Sequence, residues 1–175
     1  SNHNMLAVTD WRTNSVVTNE YDSDNRVVKQ TYADGSTNLF SYTSDVNNKV
    51  IQTAHTNRRG IVRQVSFDGA RGYVTGVVRG SGLVHAQSLN LVRSGSSNLI
   101  NARTDMLNRT RSYLYDALGN PTQLVRLANK PQPIQSNISY DMKFSRPTLV
   151  TDGLNRNTLL TYDGRGNLLS VTNRL

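Results

Sequence analysis

Turn residues recur along the 175-residue chain every 11 to 14 residues, and this period constrains the fold more than any single residue. Most turns open with Asp or Asn, whose side-chain oxygen accepts a nearby backbone N–H, and close with Gly or Asn, which tolerate left-handed backbone. Each interval accommodates one ordinary strand and no helix of typical length. The period therefore predicts an all-β antiparallel meander of about 15 short strands. The turns begin at Asp10, Asp22, Asp34, Asp45, Asn57, Asp68, Gly80, Ser94, Asp105, Asp116, Asn129, Asp141, Asp152 and Asp163.

The residue before the turn differs between the two edges of the predicted meander, because alternate turns must lie on the same edge. One edge, here called the threonine edge, has Thr or Ala in that position, as in Thr104-Asp105 and Thr151-Asp152. The other, the aromatic edge, has an aromatic residue. The repeating unit is therefore a hairpin of about 23 residues. Its aromatic pairs are Tyr21-Asp22, Phe67-Asp68, Tyr115-Asp116, Tyr140-Asp141 and Tyr162-Asp163.

Composition limits how such a meander is stabilised. Only 36% of the chain is hydrophobic and 7% aromatic, so a deep core is not expected, and cross-strand pairs and stacked turns must stabilise the sheet. Open twisted sheets rarely exceed about ten strands without curling. The sequence therefore predicts a curled, spiralling β-ribbon, with open strand edges through which copies of the chain could self-associate.

The hairpins Tyr115-Asp116-Ala117-Leu118-Gly119 and Tyr162-Asp163-Gly164-Arg165-Gly166 identify a resemblance. In their order and number the hairpins resemble those of YD-repeat proteins, also called RHS-repeat proteins. The resemblance divides the chain into residues 1–7, a lead-in or tag remnant, and residues 8–175, a ribbon segment of a larger protein. The repeat-defining structural residues are Tyr21, Asp22, Phe67, Asp68, Tyr115, Asp116, Gly119, Tyr140, Asp141, Tyr162, Asp163 and Gly166.

The resemblance implies a function that spacing alone does not. Similar proteins are bacterial polymorphic toxins, the C components of insecticidal toxin complexes, and teneurins, in which the ribbon spirals into a hollow shell. In bacterial members the shell encloses a C-terminal toxin. The implied partners are the rest of the shell and that toxin, and the implied location is secreted or at the cell surface. The first hypothesis is therefore a non-catalytic shell segment that protects a toxin; the alternative is a surface-exposed carbohydrate-binding or adhesion module.

The charge of +8 and pI of about 10.1 come chiefly from arginine. Arginine with tyrosine can bind nucleic acid through phosphate contacts and base stacking. However, the repeat explains the tyrosines and Arg58-Arg59 lies at a turn centre, so nucleic acid is not the favoured partner. A basic lining for an acidic cargo is a further hypothesis. The sequence contains no candidate membrane span or signal peptide.

Catalytic chemistry has little support in the sequence. His3, His55 and His85 are far apart and belong to no metal-binding or acid–base motif, and the chain has no cysteine. The abundant Asp residues are explained as turn formers. We therefore expect no enzyme activity, no catalytic or metal site and no cofactor.

Overall fold

The computed structural model describes residues 4–95 and 97–174. Within these residues the secondary structure is all-β, and the predicted antiparallel meander of about 15 short strands is confirmed. Ser1 to His3, which belong to the predicted lead-in, and Leu175 lie outside the described residues. The strands are β1 (Ala7–Thr9), β2 (Ser15–Tyr21), β3 (Val27–Tyr32), β4 (Thr37–Ser44), β5 (Val50–Thr56), β6 (Val62–Phe67), β7 (Val74–Arg79), β8 (Gln87–Arg93), β9 (Ile100–Asp105), β10 (Thr110–Tyr115), β11 (Pro121–Arg126), β12 (Ile134–Tyr140), β13 (Pro147–Thr151), β14 (Asn157–Tyr162) and β15 (Leu168–Arg174).

The chain divides into two compact units, residues 1–89 and 90–175. In the first unit each of β1 to β6 pairs antiparallel with the next strand in sequence. In the second unit each of β9 to β14 does the same. Strand β8 spans the boundary between the units. Each unit is thus an up-and-down meander, and the curling of the ribbon stays a prediction.

A β-bulge marks the aromatic edge at the residue before each aspartate. In the β10–β11 hairpin, Leu114 lies opposite Gln123, but Tyr115 lies opposite Pro121, so one residue of β11 is left over. The same shift occurs at Tyr21, Phe67, Tyr140 and Tyr162. Bulges of this kind increase the local twist of a hairpin and fix its register. The Tyr-Asp pair therefore sits where the ladder changes register.

No hydrophobic side chain is buried among the described residues. Every residue of β3, β5 and β13 is half-buried, so apolar and polar groups share both faces of the sheet. Asn19 is the buried polar residue, 7% exposed; its Nδ2 donates to Met5 O at 2.8 Å, and its Oδ1 accepts from Gln30 Nε2 at 3.1 Å. Backbone ladders and cross-strand polar contacts consequently replace a core.

Candidate functional site

The Asp116 turn shows how each repeat is built. Asp116 Oδ1 accepts the backbone N–H of Leu118 and of Asn120, both at 2.9 Å, and Oδ2 accepts Asn120 Nδ2 at 2.9 Å. Gly119 donates its N–H to Asp116 O at 3.1 Å and has φ of 86°, the left-handed conformation that ends this hairpin loop. Both carboxylate oxygens are therefore used within the turn.

The same two backbone bonds to one side-chain oxygen form in eight turns of the described chain. In six of these turns the side chain of the fourth residue after the Asp also bonds to the second carboxylate oxygen. It is Asn in three turns and Arg in three others, where Arg26, Arg109 and Arg156 each donate from Nε to the second carboxylate oxygen at 2.7 to 2.8 Å. Asn57 serves in place of Asp in one turn. The eight turns open at Asp10, Asp22, Asp45, Asn57, Asp105, Asp116, Asp152 and Asp163.

Where the fourth residue is Asn or Arg, these hydrogen bonds lower the pKa of the aspartate that opens the turn. The Arg156 side chain, followed by the N–H groups of Arg156 and Leu154, lowers the pKa of Asp152 to about 2. The Asn120 side chain lowers the pKa of Asp116, and the Asn167 side chain lowers that of Asp163. A carboxylate that is ionised at neutral pH and fully hydrogen-bonded to its own turn is poorly suited to proton transfer.

Among the aromatic-edge turns that open with Asp, two are one residue longer than the others. Asp68 N–H donates to Tyr73 O, and Asp68 Oδ1 accepts from Ala70 and Arg71, as the spacing to Gly72 indicates. The Asp141 turn is also longer, with Asp141 Oδ1 accepting from Lys143 and Phe144. Its closing residue is Ser145, with φ of 51°. The extra residue of this second turn could not be predicted from the sequence, because Ser145 replaces the expected Gly or Asn.

Two predicted turns on the threonine edge are built differently. The turn predicted at Asp34 begins two residues earlier, at Tyr32, which places Asp34 inside the turn, where it accepts from Ser36 N at 3.0 Å. Asn129 does not open a turn of its own. Its Oδ1 accepts the N–H of Thr110 at 3.0 Å and its Nδ2 donates to Asn108 O at 2.9 Å. Asn129 thus joins its loop to the preceding turn on the same edge.

Tyrosine hydroxyls link each hairpin of the second unit to the previous one. Tyr140 OH donates to Pro121 O at 3.1 Å, and Pro121 is the residue opposite Tyr115. Tyr162 OH donates to Pro147 O at 2.8 Å, and Pro147 lies opposite Tyr140. Tyr115 OH begins the series with a bond to Ile100 O at 2.8 Å. Each hydroxyl therefore ties its strand to the carbonyl where the neighbouring strand begins.

The first unit has the same kind of hydrogen bond from a tyrosine hydroxyl to a carbonyl of the neighbouring chain segment. One of the tyrosines, Tyr42, is not among the predicted repeat-defining residues. Tyr21 OH donates to Met5 O at 2.7 Å, and Tyr42 OH donates to Val27 O at 2.9 Å, where Val27 lies opposite Tyr21. Ser44 precedes the Asp45 turn in the position where most aromatic-edge turns have Tyr or Phe. Tyr42 lies two residues before Ser44, so it projects from the same face of the strand as that position. Phe67 has no hydroxyl and makes no such bond.

The repeat-defining residues therefore contact their own turns and the adjacent strand. Among the described residues no three His, Asp or Glu groups are close enough to hold a metal ion. His55 stacks on Phe40 with ring centroids 4.9 Å apart, and its Nε2 is buried without a hydrogen bond. His3 lies outside the described residues. Within the described chain no helix is long and apolar enough to span a membrane.

Comparison with known proteins identifies the fold. No protein-family model matches the sequence, and no curated protein is similar to it. A crystal structure of TcdB2-TccC3-Cdc42 matches 92% of this chain with a TM-score of 0.61 and 11% identity. A crystal structure of TcdB2-TccC3 without its hypervariable C-terminal region also matches 92%, with a TM-score of 0.60 and 10% identity. The chain spans 9% of the length of either structure, and at these identities the similarity shows the fold alone.

Proposed function

We propose that this chain is a non-catalytic structural segment of a YD-repeat shell that encloses and protects the C-terminal toxin of a secreted bacterial polymorphic toxin. The observation that carries the proposal is the use of the repeat residues. The turn carboxylates are bonded to their own backbone, and the tyrosine hydroxyls join one hairpin to the next. The chemistry of the repeat thus serves to extend a sheet.

The fold comparison supports the same function. The YD-repeat resemblance points to the C components of insecticidal toxin complexes, and both fold neighbours are TcdB2-TccC3 chains of a Tc toxin. One of them is described as lacking a hypervariable C-terminal region. A ribbon followed by a hypervariable C-terminal region is the organisation expected of a shell that encloses a toxin. The partners would be the remaining ribbon and the enclosed domain, outside the cell or at its surface.

Protease protection of the parent protein tests this function. The full-length parent would be treated with proteinase K, and the survival of its C-terminal domain followed by mass spectrometry. The separately expressed C-terminal domain is the matched control. We expect the domain to resist digestion in the parent and to be digested rapidly alone. Equal digestion rates in the two samples would contradict enclosure.

A carbohydrate-binding module is the second candidate, and one observation favours it. Trp11, the single tryptophan of the chain, is 83% exposed at a turn, with the Arg12 guanidinium 4.4 Å from its ring centroid. An exposed aromatic ring offers an apolar surface with a polar rim, which suits a sugar. The wild type and Trp11→Ala would be passed over glycan resins at physiological salt. Retention of the wild type alone would support this candidate. Elution of both with the void volume would exclude it.

A further inference from the structure

Three arginines lie side by side across β9, β10 and β11. Arg111 is directly opposite Arg103 on one side and Arg126 on the other, so the three side chains project from the same face of the sheet. All three are exposed. Within the part of the chain that the structure describes, none of them forms an ion pair with a carboxylate. Like charges placed directly opposite each other destabilise a sheet, so this arginine row needs another explanation.

The first unit contains a similar arrangement. Arg63 lies opposite His55 on one side and Arg79 on the other, across β5, β6 and β7. Arg63 comes six residues after the start of its turn at Asn57, and Arg111 comes six residues after the start of its turn at Asp105. The opposed arginines therefore occupy the same place in the repeat in both units.

The β14–β15 hairpin of the second unit shows that the sheet does not require arginines at this place in the repeat. Thr158 comes six residues after Asp152 and lies opposite Asn173, in the place of Arg111 and Arg126. Thr158 Oγ1 donates to Asn173 Oδ1 at 2.9 Å. A neutral, hydrogen-bonded pair thus satisfies the same position, and the fold tolerates the loss of both charges.

A depression of about 150 Å³ adjoins the arginine row. Arg111 and Arg126 supply charge to it, while Leu127 and Ile134 supply apolar surface. Its one carboxylate, Asp105, is already bonded to Arg109 Nε at 2.8 Å and Nη2 at 2.7 Å, so it does not neutralise the row. The depression therefore combines uncompensated positive charge with an apolar wall.

We propose that the arginine row of Arg103, Arg111 and Arg126 binds a glutamate-rich segment of a protein partner. A glutamate side chain matches the depression because its methylene groups can contact the apolar wall while its carboxylate reaches the guanidinium groups. Arginine binds carboxylates through two parallel hydrogen bonds, which makes such contacts strong. Sulfate esters and phosphodiesters lack an aliphatic stem of this kind. This binding is additional to the shell function, because residues of this chain alone form the surface and neither the rest of the shell nor the toxin is needed for it.

Titration of the 175-residue chain with a ten-residue polyglutamate peptide tests the proposal. Isothermal titration calorimetry at physiological salt would compare the wild type with Arg111→Thr/Arg126→Asn, which introduces the pair found at 158 and 173. Arg59→Gln/Arg165→Gln is the matched control. It removes the same two charges from turn positions that are remote in sequence from the row and outside the depression. Polyglutamine, a heparin-derived oligosaccharide and ten-residue oligothymidine would be titrated in parallel.

The expected result is binding of polyglutamate that weakens at least about tenfold in the first variant and less than about threefold in the control. The melting temperature of the first variant should equal or exceed that of the wild type, because the like-charge contact is relieved. A third variant, Arg111→Lys/Arg126→Lys, keeps the charge without the guanidinium fork and should show intermediate affinity. If Arg111→Thr/Arg126→Asn loses stability, the affinity of this third variant still measures what the guanidinium groups contribute to binding.

Several outcomes would overturn the proposal. They are the absence of polyglutamate binding to the wild type, an equal loss of affinity in both double variants, and tighter binding of heparin or oligothymidine than of polyglutamate. Protease protection of a toxin domain depends on none of these results. Failure of the arginine row and failure of the shell function are therefore separately visible.

Discussion

Replacing Tyr115, Tyr140 and Tyr162 together by Phe should destabilise the chain without disturbing its turns. Each substitution removes one hydroxyl and leaves the ring in place, so the loss is one hydrogen bond to a backbone carbonyl at 2.8 to 3.1 Å. A typical hydrogen bond contributes about 0.5–1.5 kcal/mol to stability. The Tyr140 bond is the longest of the three and lies exposed, whereas the other two are part-buried, so its contribution should lie at the lower end.

The summed effect is about 1.5–4.5 kcal/mol, a large share of the roughly 5–15 kcal/mol that stabilises a typical domain. For a protein of this length each kcal/mol lowers the melting temperature by about 2–4 °C. We therefore expect the triple variant to melt about 3–18 °C below the wild type, measured by differential scanning calorimetry at neutral pH.

Tyr113→Phe is the control for this prediction. Tyr113 lies on the same strand as Tyr115, with ring centroids 6.4 Å apart, and within the described residues its hydroxyl makes no hydrogen bond. Its melting temperature should equal that of the wild type. If the triple variant melts no lower than Tyr113→Phe, the tyrosine bonds between hairpins do not stabilise the sheet, and the reasoning is refuted.

Three further predictions concern the turns and their titration. The folded-state pKa of Asp152 is lowered from 3.8 to about 2, so its stabilising contribution is complete above pH 3.8 and is lost as the pH falls towards 2. The melting-temperature gap between the wild type and Asp152→Asn should therefore narrow over that window, and a gap that is constant with pH would contradict the assignment. Burial raises the pKa of Tyr115 above its usual 10.0, so its stabilising contribution is complete below that value and is lost as the pH rises through the folded pKa. The melting-temperature gap between the wild type and Tyr115→Phe should therefore narrow as the pH rises above 10.0, and a gap that stays constant with pH would contradict this account. Gly166 has φ of 84°, and a Cβ there would lie 3.0 Å from the Phe144 ring, whereas Gly164 has open space around it; Gly166→Ala should thus lose at least about 1 kcal/mol in urea unfolding and Gly164→Ala far less, and equal losses would show that the left-handed turn is not constrained.

Much of this fold could be predicted from the sequence because its signals are local. An Asp followed by Gly or Asn three residues later needs only neighbouring backbone groups to form its turn, as Asp116 and Asp163 show. Since the turns recur at strand-length intervals, the number and direction of the strands follow. The turns at Asp34 and Asn129 were mispredicted because their geometry depends on Tyr32 and on Asn108 of a neighbouring turn.

The tyrosine bonds between hairpins and the opposed arginines could not be predicted from the sequence, because both depend on the register between strands. Sequence spacing placed the tyrosines on one edge but did not show that their hydroxyls reach the carbonyls of the neighbouring strand. Tyr42 was missed because it lies three residues before Asp45 and not directly before it, although it projects from the expected face. The opposition of Arg111 to Arg103 and Arg126 also required the register, since the bulge at Tyr115 shifts the pairing by one residue.

Cryo-electron microscopy of the full-length parent protein tests the shell function most directly. The account predicts that the strands of this chain lie in the wall of a closed, hollow ribbon, with density for a separate domain inside it. An open or rod-like ribbon with its C-terminal domain outside would contradict the proposed enclosure.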